Sequence, residues 1–189
     1  MKISDPQAAH PFRFFEPDID RLASAAHYVI YRTEPAKLGA TKLNKILWYA
    51  DLENYRRTGQ SITGERTYVR LPRGPVPHRI DEALDLLKRE GKIVERRTRV
   101  HDYDRREFVW IESPNIEVFS AQEIDTVNVF IDLIKDMTAD QISSITHEDA
   151  LWLELTDGEA MPVGAGSIIS RPPTERELMW AMEQISKVA

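Results

Sequence analysis

One segment, Thr41 to Gly59, constrains everything around it. Leu43, Ile46, Leu47 and Ala50 recur at helical spacing on one stripe, and Trp48, Leu52 and Tyr55 form a second stripe at i, i+4 and i+7. A helix that is apolar on two sides either lies in the middle of a fold or presents one side to a partner. The bulk of these side chains favours the middle. Gly59 marks the end of the helix, where a left-handed residue closes the last turn.

The flanking sequence supplies elements that can wrap such a helix. Upstream, Ile19, Leu22, Ala23, Ala26 and Ile30 predict a helix capped by Asp18 or Asp20 and broken by Pro35 and Gly39. Downstream, Thr67–Leu71 alternates like a strand and leads into a rigid turn, Arg73-Gly74-Pro75-Val76-Pro77. Pro77 suits the first position of a third helix with Ile80, Ala83, Leu84 and Leu87 inward and Gly91 at its end. Residues 93–100 and 106–111 read as two strands around the turn His101-Asp102-Tyr103-Asp104. Ser120 and Glu123 have capping-box spacing and open a fourth helix through Ile124, Val127, Ile131 and Ile134. A short helix from Thr138 carries Ile142 and Ile145, with Leu151 and Trp152 in the turn beyond. A Gly/Pro-rich crossing over 158–173 then precedes a last helix through Leu178, Ala181, Met182 and Ile185. The expected fold is mainly α, of α+β type: a single domain of about six helices with a small β-sheet or hairpin. Residues 1–17, with Phe12-Arg13-Phe14-Phe15, read as an arm preceding a domain over 18–189.

Composition narrows the chemistry. A chain of 189 residues, 42% hydrophobic, is long enough to bury a sizeable core without a metal or disulfide. It has no cysteine, which removes thiol nucleophiles and Cys-based zinc sites. No apolar run reaches the ~18 residues of a membrane span, and the start lacks a signal-peptide core, so cytoplasm is the expected compartment and no membrane partner is expected. The net charge of −6 is unevenly spread. Residues 88–106 hold eight basic and four acidic side chains. Residues 112–159 hold twelve acidic side chains and only Lys135. The molecule reads as bipolar.

No set of residues has the spacing of an active site. His10, His27, His78, His101 and His147 lie far apart and none makes an HExxH pair. A Ser nucleophile would lack its Gly-x-Ser-x-Gly turn. Gly164-Ala165-Gly166 lacks the third glycine of a nucleotide loop. His101 with Asp102 and Asp104 suits a polar hairpin turn, and His147 before Trp152 suits a hydrogen-bonding group at a helix end. Catalysis, metals and cofactors are therefore not expected. Helices followed by a basic hairpin occur in the order of a winged-helix DNA-binding regulator. Against nucleic acid, the outer face of the third helix offers Asp81, Glu82 and Asp85, which repel phosphate.

Three clusters together resemble one family. The helix Leu43, Lys45, Ile46, Leu47, Trp48, Tyr49, Ala50, followed by Gly59 and Ile62, is similar to its Leu-x-Lys-Leu-Leu-Tyr-Phe-Ala signature. Gly74-Pro75-Val76 is similar to its Tyr-Gly-Pro-Val turn, with Arg73 in place of the tyrosine. Ser120 and Glu123, then Ser143 or Ser144, Thr146, His147 and Trp152, match its third group. The chain thus resembles the Panacea domain, the SocA-like antitoxin family also met in phage-associated GepA proteins. That resemblance implies an antitoxin of a toxin-antitoxin system, which binds and neutralises a cognate toxin protein. In one branch it implies an adaptor that delivers the toxin to the ClpXP protease. On this reading Trp48, Tyr55 and Trp110 are the candidate partner-binding residues, and the acidic surface between Glu123 and Glu159 steers a basic toxin. Leu43, Lys45, Leu47, Tyr49, Gly74, Pro75, Val76, Thr146, His147 and Trp152 carry the family motifs, and Gly74, Pro75, His147 and Trp152 are expected to be architectural.

Overall fold

The computed structural model describes residues 19–100 and 103–169 of the chain. The expected arm and last helix lie outside the described residues. The first helix, α1 (Ile19–Arg32), turns through a short 3-10 segment (Pro35–Lys37) into α2 (Ala40–Thr58). Gly59, at φ +75°, closes α2 by returning its N–H to the Tyr55 carbonyl. α2 packs against α1, α4 (Ala121–Ile134), α5 (Ala139–His147) and α7 (Val163–Ile169), as well as against strands. Of the two alternatives for a helix apolar on both sides, the central one is realised.

The two stripes of α2 enter two different cores. Leu43, Ile46, Leu47 and Ala50 join Leu22, Val29, Ile30, Leu84, Phe108 and Ile131 in the larger. Trp48 and Leu52 join Tyr68, Leu151, Met161 and Val163 in the smaller. Full burial of each large apolar side chain is worth roughly 1.5–3 kcal/mol. Leu43, Ile46, Leu47 and Trp48 expose 1% of their surface or less, so one helix ties both cores together.

Two antiparallel sheets flank the helices. One is a hairpin of β3 (Ile93–Val100) and β4 (Tyr103–Trp110). The other runs β2 (Gly74–Pro77), β1 (Thr67–Leu71), β5 (Ala160–Pro162), with β2 and β5 at the edges. Pro77 is not the start of a helix. It pairs with Tyr68 in β2, and α3 (Ile80–Arg89) begins three residues later. Pro75 and Pro77 remove the amide donors from one side of β2, which suits an edge strand. Tyr103 and Asp104 lie in β4 rather than in a turn. Leu151 and Trp152 lie in a short helix, α6 (Ala150–Glu154).

The capping box opens α4 as its spacing predicts. Ser120 Oγ accepts from the Glu123 N–H, and a Glu123 carboxylate oxygen accepts from the Ser120 N–H at 2.8 Å. Glu123 also pairs with Arg21 at 2.5 Å, fastening α4 to α1. Ser120→Ala is expected to lower stability by about 1 kcal/mol, measured as a shift in the urea midpoint at unchanged slope.

Candidate functional site

Three segments remote in sequence meet beside the middle of α2. Lys45 and Tyr49 project from that helix, one turn apart. The β1–β2 turn brings Pro72, Arg73 and Gly74 over Lys45. Helix α5 closes the third side with Ser143, Thr146 and His147. Each junction is hydrogen-bonded. Tyr49 Oη lies 3.1 Å from Thr146 Oγ1. Because the Thr146 hydroxyl donates to the Ile142 carbonyl at 2.9 Å, the tyrosine is the donor of the pair. Ser143 Oγ donates to the Arg73 carbonyl at 3.2 Å, and His147 Nε2 donates to the Pro72 carbonyl at 3.0 Å. The turn is thus held from below by two side chains of α5.

His147 is in turn fixed by Trp152. Their rings stack with centroids 4.0 Å apart and planes 20° from parallel. The Arg70 guanidinium lies 3.8 Å from the Trp152 ring centroid, and its Nε donates to the Trp152 carbonyl at 3.0 Å. Arg70 also pairs with Asp157. Arg70, Trp152 and His147 therefore run as one chain of contacts from β1 through α6 to α5.

At the centre sits Lys45, 1% exposed. Its ammonium has no hydrogen-bond partner among the described residues. It lies directly under Gly74: a Cβ at that position would stand 1.3 Å from Lys45 Nζ and 3.3 Å from Thr146 Cγ2. Gly74 also has φ +111°, a backbone conformation open to glycine and costly for other residues. Burial drives the Lys45 pKa down to about 7, opposed by the negative charge of Asp149 at the start of α6. Burial likewise raises the Tyr49 hydroxyl, so it stays a donor at neutral pH. Beside Lys45 a cavity of about 360 Å³ opens between the start of α2 and the turn, with Asn44 and Val76 also in its wall.

A second polar cluster lies further along α2. Asp51, fully buried, accepts from the Thr63 N–H at 2.9 Å, from Tyr68 Oη at 2.7 Å and from the Thr63 hydroxyl. Glu65, 2% exposed, is buried nearby with one carboxylate oxygen unpartnered. Burial raises the Asp51 carboxyl to about 6 against the pull of these donors, and raises Glu65 to about 7, with Asp51 adding to the effect. The sequence reading missed this cluster, although Asp51 interrupts the apolar α2 within a turn of Trp48. No group of three or more His, Asp or Glu side chains placed to hold a metal occurs among the described residues.

The candidate partner-binding residues separate. Trp48 is fully buried, its ring 4.9 Å from that of Tyr68, so it is a core residue and not a surface anchor. The second core covers the stripe on which it lies. Tyr55 is half-buried at the edge of this second core, with its ring and hydroxyl against Gly164. Trp110 is 41% exposed and packs edge-on against Tyr31, with centroids 5.0 Å apart. It lies on the hairpin, away from the Lys45 site. Gly164-Ala165-Gly166 belongs to α7, where a Cβ on Gly166 would come within 2.9 Å of Trp48. Those glycines serve close helix packing.

The family model described as antitoxin SocA-like, Panacea domain, matches residues 43–153. The match runs from Leu43 to one residue past Trp152, so it encloses Lys45, the Gly74 turn, α5 and all but the last residue of α6. Neither the curated proteins nor the solved structures contain a match. With well over half of its length in that match, the chain belongs to the SocA-like antitoxin family and carries its Panacea domain.

Proposed function

We propose that this protein is the antitoxin of a toxin-antitoxin pair and that it neutralises its cognate toxin by direct, non-covalent binding. The family match carries this reading, since the matching family is described as antitoxin SocA-like. Surface chemistry supports it. Trp110, Tyr31 and Ile111 are exposed apolar groups on or beside the hairpin, the kind of patch that anchors a protein interface inside a polar rim. Along α4 to α6 the exposed side chains include Asp125, Asp132, Asp140, Glu148 and Glu154. Exposed carboxylates in excess over basic side chains accelerate encounter with a basic partner.

A DNA-binding role is poorly supported by the same surface. Three of the five arginines on the basic hairpin, Arg96, Arg105 and Arg106, are paired with carboxylates of the chain itself. Glu95 receives Arg106 at 2.6 Å and Lys88 at 3.0 Å, and its carboxyl is held down to about 2, chiefly by Arg106. Glu107, 2% exposed, holds Arg96 and Arg105. Charges already neutralised by carboxylates release few counterions from DNA.

Co-expression with the toxic product of a neighbouring reading frame tests the proposal. Growth is expected to recover, and the two chains to co-purify. Trp110→Ala is expected to weaken the complex about tenfold or more. A toxin that stays fully toxic beside abundant, folded antitoxin refutes direct neutralisation. The toxin's half-life decides between steric inhibition and delivery to ClpXP: turnover that depends on ClpXP supports the adaptor reading, and a stable toxin in the complex excludes it.

A further inference from the structure

Among the described residues, three of the four outer strand edges are closed. β2 carries Pro75 and Pro77, β5 is three residues long and ends at Pro162, and the outer side of β4 bridges to Gly39. The outer side of β3 is open: the strand has eight residues without a proline, and among the described residues only β4 pairs with it. Its register fixes which backbone groups are free. The Ile111 N–H donates to the Lys92 carbonyl at 2.8 Å, so the bonded positions of the ladder fall on the even-numbered residues of β3. Val94, Arg96 and Thr98 therefore direct their N–H and C=O groups to β4. Glu95, Arg97 and Arg99 turn theirs outward, and no loop hydrogen bond reaches them among the described residues.

The side chains along this edge choose between occupants. Arg97 and Arg99 lie on one face of the strand, both exposed, and neither has a carboxylate partner among the described residues. Asp104 stands opposite Arg99 in β4 but makes no ion pair with it. Charge disfavours a second copy of this chain. Antiparallel pairing of two such edges, centred anywhere from residue 95 to 99, sets like charges opposite: Glu95 on Glu95, Arg96 on Arg96, Arg97 on Arg97 or Arg99, or Arg99 on Arg99. The same arginines attract a strand with carboxylates at alternate positions. We propose that the outer edge of β3 is a docking site for an extended, acidic segment of a partner protein, which adds antiparallel as a third strand of the hairpin sheet. Its backbone exchanges N–H···O=C bonds with Glu95, Arg97 and Arg99, and two carboxylates, two residues apart, lie beside the two free guanidiniums. Opposite Glu95 the segment carries a neutral residue, because Arg106 and Lys88 already hold that carboxylate. The assignment rests on the edge and its charges and not on the antitoxin reading.

The test titrates the full-length chain with N-acetyl-Thr-Glu-Thr-Glu-Thr-Thr-Val-amide, following backbone amide NMR shifts and hydrogen exchange. In this peptide the glutamates meet Arg99 and Arg97, the last threonine meets Glu95, and the valine meets Val94, 49% exposed. The amides of Glu95, Arg97 and Arg99 are expected to shift and gain protection, while those of Val94, Arg96 and Thr98, already bonded to β4, move less. A peptide N-methylated at its second glutamate loses its bond to Arg97 and is expected to bind about tenfold more weakly. Lysine in place of both glutamates is expected to weaken binding about fivefold or more. The double variant Arg97→Glu/Arg99→Glu, two exposed changes shown folded by its melting curve, is expected to reverse that preference. No shift of the three amides at ~5 mM peptide, equal binding of the N-methylated peptide, or a double variant that still prefers glutamate each overturns the proposal. So does a concentration-dependent shift of the same amides without peptide, which puts a second copy on the edge. Growth rescue by co-expression is read separately, so a chain that neutralises its toxin but leaves the peptide unbound refutes only the edge.

Discussion

Gly74→Ala is expected to cost about 3 kcal/mol or more of stability, seen as a large drop in the urea midpoint. Two costs coincide at this position. The backbone φ of +111° is strained for any residue with a Cβ, at roughly 1–3 kcal/mol. The added carbon would also sit 1.3 Å from Lys45 Nζ and 2.7 Å from Cε. A lysine tip on a surface would swing aside, but this one is enclosed on all sides, at 1% exposure. The turn must then lift, breaking the Ser143 and His147 contacts to the Arg73 and Pro72 carbonyls. The expected loss is about 3 kcal/mol or more, much of a typical domain's margin. Urea melts of Gly74→Ala, Lys45→Ala and the double variant separate the two costs. Shortening Lys45 removes the clash but not the strain, so the double variant is expected to recover about 1–2 kcal/mol relative to additivity. Strict additivity, or a Gly74→Ala variant as stable as the parent, contradicts the close approach of turn and lysine.

The arrangement behind that prediction was only partly legible in the sequence. The two stripes of α2, its Gly59 stop and the Ser120 capping box were readable because each is a local pattern with a local physical cause. The bulk of Trp48 favoured burial, but what covers it was not legible, because α7 with Gly166 and β5 with Met161 lie in a segment whose glycines and prolines read as a crossing. Pro77 went into β2 rather than α3 because pairing with Tyr68 outweighs the fit of proline to a helix start. Lys45 precedes Trp48 by three residues, and so falls on the second apolar stripe. A cation in that register was the available sign of a buried charge. Gly74 and Thr146 gave none, since their meeting with Lys45 depends on three elements docking at once.

Buried charges should leave their mark on the pH dependence of stability, with opposite signs for lysine and carboxylates. Glu65 rises from an ordinary 4.5 to about 7 on folding. Between those values the folded chain holds a proton that the unfolded chain has released, so stability falls as pH rises from 4.5 to 7. Asp51, raised from 3.8 to about 6, acts in the same direction. Lys45 falls from 10.5 to about 7. Between 7 and 10.5 the unfolded chain holds the proton that the folded one lacks, so stability rises with pH across that window. The three groups together place a minimum of stability near neutrality. Lys45→Met, of similar length and without charge, is expected to gain most below pH 7, up to ~5 kcal/mol at about 1.4 kcal/mol per pKa unit, and nearly nothing at pH 10.5. Glu65→Gln is expected to show the mirror pattern, with no gain at pH 4 and about 3 kcal/mol above pH 7. Urea midpoints from pH 4 to 10 for the parent and both variants measure this. A gain from Lys45→Met that is the same at pH 6 and pH 10 would mean that the ammonium is already paired in the folded chain.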